Sequence, residues 1–163
     1  FKLFSVITIV HSILMTPLWS AYSDAYHRND IEWIKKTIKN QLKIYILIII
    51  VAILLVFLAK PIIALWIEKD FIVSNMLIIA MALFILVSTW NNIFSYFVNA
   101  TNQLNIQIKT SILAMILNIP LSIIFVRFLE MGVYGIVLAT CVSLSFFAIF
   151  GSLQTYKILK GKK

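Results

Sequence analysis

Two apolar segments of this sequence contain side chains that could bind a polar ligand or exchange a proton. His11 lies near the middle of one apolar segment, and Trp90, Asn91 and Asn92 are consecutive in another. An imidazole can hold or release a proton near neutral pH. An indole can stack on the apolar face of a sugar, and amides can form hydrogen bonds with its hydroxyl groups. These four residues are therefore candidate contacts for a sugar-like ligand, and His11 also for a proton.

Asn118 is a further candidate, and all five residues have a structural alternative. A histidine or asparagine inside a membrane helix can form hydrogen bonds with a neighbouring helix. Asn118 stands two residues before Pro120, which deprives the carbonyl of Ile116 of its helical donor. The Asn118 amide could therefore help to satisfy a kinked backbone. Substrate binding and helix packing both remain open for these residues.

A basic cluster containing Arg28, Lys35 and Lys36 follows the first apolar segment. Guanidinium and ammonium groups bind phosphate, so these residues are candidate contacts for a phosphorylated ligand. Their alternative role is to set the orientation of the chain in the membrane. The net charge is +8, but the basic residues lie at the ends of apolar segments. This placement predicts contact with anionic lipids and argues against nucleic acid as a partner.

No arrangement typical of catalysis or of a metal site stands out. The sequence lacks paired carboxylates, a glycine-rich phosphate loop and a Ser/His/Asp pattern, and its one cysteine is Cys141. We therefore expect no catalytic residues, no metal and no cofactor, and we expect a protein that is not an enzyme. No Asp or Glu lies inside an apolar segment, which argues against an exporter coupled through a membrane carboxylate.

The elements that must position these residues are membrane helices. Hydrophobic residues make up 62% of the 163-residue chain and charged residues only 12%, against about 25% charged in soluble domains. All charges lie outside five segments, 3–23, 44–59, 71–108, 110–126 and 131–156. About 20 residues cross a bilayer, so the spans are predicted at 3–21, 42–59, 72–98, 108–126 and 133–155. The fold class is an all-α integral membrane protein with about five transmembrane helices.

Residues 29–42 predict an amphipathic helix on the cytoplasmic surface. Ile31, Ile34, Ile38 and Leu42 recur at spacings of three and four, and lysines occupy the other faces. A solvated linker helix is the alternative. Pro61 is expected to end the second span.

Orientation follows from the distribution of basic residues. With five spans, one side carries Arg28, Lys35, Lys36, Lys39, Lys43, Lys109, Lys157, Lys160, Lys162 and Lys163. The other side carries Lys2, Lys60, Lys69 and Arg127. The richer side is predicted to be cytoplasmic, which places the basic C-terminal tail inside the cell. Because the chain begins with Phe1 almost directly in an apolar segment, we also expect further spans upstream.

Two motifs resemble the polysaccharide flippases of the oligosaccharidyl-lipid/polysaccharide export superfamily, which translocate O-antigen and capsule units. The first is TPLWSAYSDA at 16–25, followed by the basic stretch WIKK at 33–36. The second is NIPLS at 118–122 with GVYG at 132–135. The first motif adds Trp19 to the candidate substrate-binding residues.

The resemblance implies that this chain is the C-terminal part of a two-lobe transporter in the bacterial cytoplasmic membrane. Its substrate would be an undecaprenyl-diphosphate-linked oligosaccharide, flipped to the outer leaflet. The implied partners are that lipid-linked oligosaccharide, the N-terminal lobe and the polysaccharide polymerase machinery. The alternatives are a multidrug or cation exporter of the same superfamily, and a membrane-embedded enzyme or assembly partner of the polysaccharide machinery.

Overall fold

The chain forms a bundle of five long helices in a computed structural model that describes residues 2–66 and 73–161. The helices are α1 (Lys2–His27), α2 (Ile31–Trp66), α3 (Asn75–Ala100), α4 (Asn105–Ile123) and α5 (Gly132–Gly161), with a π-helical turn (Ile124–Phe128) after α4. All five are long and apolar enough to cross a membrane. The predicted fold class is therefore confirmed. The predicted third span begins at Ile72, which lies outside the described residues.

The second helix differs from the prediction. The amphipathic segment 29–42 and the span 42–59 are parts of one helix, α2, whose 36 residues extend for about 54 Å. Pro61 lies inside this helix and does not end it. Proline removes one backbone hydrogen bond, whereas ending the helix among lipid would expose several unsatisfied backbone groups. Continuing the helix is therefore the less costly solution.

The amphipathic pattern at the start of α2 serves protein packing. Ile31, Ile34 and Ile38 are buried in a core cluster that also contains Tyr22 and Phe97. This packing differs from the predicted interfacial helix, because the apolar stripe contacts side chains of α1 and α3. The reason is the tight turn after α1. It directs α2 straight back along α1, so that the stripe meets aromatic side chains before it can meet lipid.

Three turns between helices depend on residues in the left-handed region, Asn29 (φ 59°), Asn102 (φ 55°) and Glu130 (φ 53°). Asparagine adopts this conformation more readily than most residues, which suits the α1–α2 and α3–α4 turns. Asp30 then caps α2 by accepting a 3.0 Å hydrogen bond from the Trp33 backbone N–H. Both asparagine turns lie at the same end of the bundle as the C-terminus of α5, because successive helices run antiparallel.

The centre of the bundle is α3, which packs against α1, α2 and α5, whereas α4 packs mainly against α5. One apolar cluster lies near the asparagine turns and includes Tyr22, Ile34 and Phe97. A second cluster near the opposite end includes Phe4 and Ile85. In contrast, the exposed hydrophobic residues of α2 between 46 and 58 are all Ile, Leu, Val or Phe, as a lipid-facing surface requires.

The start of α5 lies very close to the π-helical turn at Gly135. A Cβ atom at this position would lie 2.9 Å from Met131 Cβ and 3.1 Å from Phe125 Cβ. We expect Gly135→Ala to lower the free energy of unfolding by about 1–3 kcal/mol, because the two segments must separate to fit a methyl group. Thermal unfolding in detergent measures this loss. Gly161→Ala, where a Cβ atom meets nothing within 4 Å, should leave the melting temperature unchanged; equal melting temperatures for both variants would contradict the close contact.

Candidate functional site

Trp90 and Asn91 lie in the contact between α3 and α5. The indole Nε1 of Trp90 donates a 3.1 Å hydrogen bond to the Ala148 carbonyl. The amide Nδ2 of Asn91 donates a 3.0 Å hydrogen bond to the Leu144 carbonyl. In this structure both residues therefore connect two helices, which is the packing role that the sequence left open for them.

Asn118 connects α4 to α5 in the same way. Its Nδ2 donates a 3.1 Å hydrogen bond to Thr140 Oγ1, and the Thr140 hydroxyl donates in turn to the Ile136 carbonyl at 3.0 Å. The predicted bond to the backbone near Pro120 is not among the hydrogen bonds of the described residues. A partner on the neighbouring helix takes its place, because Thr140 is directly opposite Asn118 in the packed pair.

His11 lies inside the bundle, with only 1% of its surface exposed. It lines an apolar groove of about 420 Å³ between α1 and α2, whose other walls include Ile44, Ile48 and Val51. Neither ring nitrogen has a hydrogen-bond partner among the described residues. The interhelical hydrogen bond considered for His11 is therefore not formed in this part of the chain.

Arg28, Lys35 and Lys36 are exposed near the α1–α2 turn. Arg28 forms an ion pair with Asp24 one turn earlier on α1, and its Nε donates a 2.9 Å hydrogen bond to Asp24 Oδ1. Lys35 and Lys36 begin the second turn of α2. The positive charge therefore lies at the end of the bundle that also holds the α3–α4 turn and the C-terminus of α5.

Asn92 belongs to a polar stripe along α3. The stripe consists of Ser88, Asn92, Ser95 and Asn99, which recur at spacings of four, three and four and so share one face of the helix. All four are half-buried, whereas the neighbouring Thr89, Asn91 and Ile93 are buried against other helices. On a different side of α3, Tyr45 Oη of α2 donates a hydrogen bond to the Leu86 carbonyl at 3.2 Å.

A second polar stripe follows α1. It consists of Ser5, Thr8, Ser12, Thr16, Trp19 and Ser23, spaced by three or four residues. Trp19 is half-exposed, and its ring contacts Tyr96 of α3 edge to face at 6.1 Å between centroids. Because Tyr96 stands one turn after Asn92, this contact brings the two stripes to the same side of the bundle. We refer to the α1 stripe, the α3 stripe and Tyr96 together as the polar face.

The polar face is unsuited to contact with lipid chains. None of its residues is charged, but the Asn92 and Asn99 amides have no hydrogen-bond partner among the described residues, and an unpaired amide in hydrocarbon is costly. The hydroxyl groups of Ser5, Thr8 and Ser12 donate to carbonyls of their own helix. Their oxygen lone pairs remain available as acceptors. The face can therefore bind water, a hydroxyl-rich ligand or another polar protein surface.

The sequence interpretation identified Trp19 and Asn92 as candidates, but it did not identify the two stripes that form the polar face. The signal for the polar face in the sequence is the spacing of Ser and Thr on α1. Intervals of three and four residues place these side chains on one face of the helix. Among residues 2–66 and 73–161, no group of three His, Cys, Asp or Glu side chains could hold a metal ion.

The family of the chain follows from a match over nearly its whole length. A family model described as lipid II flippase MurJ matches residues 4–163. The chain belongs to this family. It is thereby a multi-pass membrane protein of a family of flippases for a lipid-linked precursor, within the superfamily that its motifs resemble. No curated protein and no solved structure matches the chain. The family description names lipid II, whereas the motif resemblance pointed to O-antigen and capsule units.

Proposed function

We propose that this protein flips a polyprenyl-diphosphate-linked saccharide across the bacterial cytoplasmic membrane, and that the polar face forms one wall of the path of the head group. The single observation that carries the proposal is the uncharged polar face, because the other outward-facing surfaces of these helices are apolar. Membership of the lipid II flippase family supports it and favours lipid II as the substrate. The O-antigen or capsule unit is the second candidate substrate, favoured by the motifs at 16–25 and 118–122.

The physical problem of flipping is the transfer of a hydrated head group through hydrocarbon. Each hydroxyl or amide that loses water without a new partner costs several kcal/mol. The polar face offers acceptor oxygens along α1 and amides at Asn92 and Asn99 on α3, which replace part of that hydration. The lipid tail needs no such partners and remains in the bilayer. The reaction is a transport step without bond cleavage, so the proposal includes no catalytic residue and no cofactor.

The proposed orientation places the basic end of the bundle in the cytoplasm, following the majority of basic residues at that end. The lipid diphosphate would first meet Arg28, Lys35 and Lys36 there, and the saccharide would then enter along the polar face. The remaining wall of the path belongs to a second lobe, and transport would use the rocking of two lobes about a central site.

The proposal is tested by depleting the protein in cells and asking which lipid-linked precursor stays on the inner leaflet. A membrane-impermeant enzyme that degrades lipid II is added from outside to spheroplasts. We expect the protected fraction of lipid II to rise on depletion and to fall again when the wild-type gene is restored. Retention of an undecaprenyl-linked O-antigen or capsule unit, with lipid II unaffected, would select the second substrate. If neither precursor is retained, the flippase proposal is overturned.

A further inference from the structure

We infer that Trp19 and Tyr96 form a platform for a sugar ring, with Asn92 as its hydrogen-bonding partner. This inference rests on the proposed function and specifies which part of the substrate this wall binds. The platform would take the neutral, hydroxyl-rich saccharide and not the diphosphate.

The Trp19–Tyr96 pair differs in exposure from the Tyr22–Phe97 pair. The rings of Trp19 and Tyr96 are 6.1 Å apart at an interplanar angle of 80°, and half of the Trp19 surface is exposed. Tyr22, which contacts Phe97 in a similar geometry, is fully buried. An edge-to-face pair holds the indole in place while leaving ring surface free for a ligand.

The indole N–H also distinguishes Trp19 from Trp90. Trp90 uses its N–H in the bond to Ala148, whereas Trp19 has no hydrogen bond among the described residues. A half-exposed indole with a free donor has the two properties that sugar binding requires, an apolar surface for the ring and a donor for a hydroxyl oxygen. Tryptophans that anchor a protein at the membrane interface share these properties, and the two roles differ in whether the effect of Trp19 depends on the saccharide.

The neighbouring groups match a neutral sugar. Asn92 stands one turn before Tyr96 on α3, and Thr16 and Ser23 stand one turn to either side of Trp19 on α1. The Thr16 hydroxyl donates to the Ser12 carbonyl, so its free lone pairs can accept a hydrogen bond from a sugar hydroxyl. The Asn92 amide can both donate and accept. Because no position of the polar face is charged, it offers nothing to neutralise a diphosphate.

The position of the platform along α1 agrees with binding of the saccharide there and of the diphosphate at the basic end. Trp19 precedes the end of α1 at His27 by eight residues, which corresponds to about 12 Å along the helix. Arg28, Lys35 and Lys36 lie at that end. A ligand whose phosphates contact the basic end can therefore reach the platform with its saccharide.

The test compares two lipids that differ only in the head-group substituent, lipid II and undecaprenyl diphosphate. Binding of each to the protein in nanodiscs is measured for the wild type and for Trp19→Ala, Trp19→Phe, Tyr96→Ala and Asn92→Ala. We expect Trp19→Ala to weaken lipid II binding about tenfold, the scale of one stacking contact with its hydrogen bond, and to leave undecaprenyl diphosphate binding unchanged. Trp19→Phe keeps a ring and should retain most of the affinity. Tyr156→Ala, at another exposed aromatic residue, is the matched control and should change neither.

The outcomes separate the inference from the proposed function. If wild-type protein binds neither lipid, the proposed function fails. If it binds lipid II more tightly and Trp19→Ala retains that preference, the platform is overturned and the proposed function stands. A loss of affinity for both lipids in Trp19→Ala would assign the residue to membrane anchoring and overturn the platform as well. Thermal unfolding of each variant checks folding, and if Trp19→Ala fails to fold, Tyr96→Ala and Asn92→Ala carry the same comparison.

Discussion

Replacing Asn92 by alanine is expected to lower the transport rate about tenfold and to leave the stability of the bundle unchanged. Replacing Asn91 by alanine is expected to lower the stability and to leave the transport rate unchanged. The two asparagines are adjacent in sequence, and only the helix faces on which they lie distinguish them. Asn92 is half-buried on the polar face. Asn91 is buried and donates to the Leu144 carbonyl of α5.

The expected magnitudes come from the hydrogen bonds that each amide makes. Removing one or two hydrogen bonds to a substrate raises the transport barrier by about 1–1.5 kcal/mol, which is about tenfold in rate. Removing the Asn91 bond between α3 and α5 costs about 1 kcal/mol of stability, the scale of hydrogen bonds between membrane helices. The Asn91 variant should transport normally at temperatures at which it remains folded.

The measurement pairs a flipping assay in proteoliposomes with thermal unfolding of the same preparations. The double variant should show both losses without additional coupling, because the two side chains share no partner. If Asn92→Ala melts earlier than Asn91→Ala, or if only Asn91→Ala loses transport, then the assignment of the two faces is incorrect.

Replacing His11 by leucine is expected to raise the free energy of unfolding by about 1–3 kcal/mol. Both ring nitrogens of His11 are buried without a partner among the described residues, and a buried unsatisfied polar group costs that much. Leucine has a similar size and matches the aliphatic wall of the groove that α2 contributes. Few single substitutions in a native protein gain stability on this scale, so the sign of the change is informative.

Among the described residues, the surroundings of His11 offer its ring nitrogens no charged partner. On the α2 side, the groove that His11 lines has aliphatic walls, among them Ile44, Ile48 and Val51. Counting back from the contact of Tyr22 with Phe97 brings Thr89 of α3 to within about one turn of His11, and the Thr89 hydroxyl is also buried without a partner. No charged residue lies in this layer among the described helices.

A stabilised variant also tests whether His11 serves transport. A buried polar residue without a partner lowers stability, and such residues are often retained because they serve function. We therefore expect His11→Leu to transport more slowly than the wild type although it melts at a higher temperature. His27→Leu is the matched control, because His27 is exposed and bonded to the Ser23 carbonyl at 2.7 Å, and it should change stability little. A lower melting temperature for His11→Leu would mean that the imidazole has a partner after all.

Helix formation and membrane insertion were predictable from the amino-acid sequence. The five charge-free segments predict five spanning helices, because charged side chains are excluded from hydrocarbon and backbone groups there must bond within one helix. These features depend on residues close together in the chain, so no knowledge of packing was needed.

The tertiary structure alone decided what each helix face contacts. Ile31, Ile34 and Ile38 form an apolar stripe that suits lipid or protein equally, and only the tight return of α2 along α1 assigns it to protein. Trp90, Asn91 and Asn92 are equivalent in sequence as candidates, yet the position of α5 takes the first two into helix contacts and leaves the third on the polar face. In a membrane protein nearly every surface is apolar, so hydrophobicity no longer separates inside from outside. The neighbour that each face meets is determined by packing between distant segments.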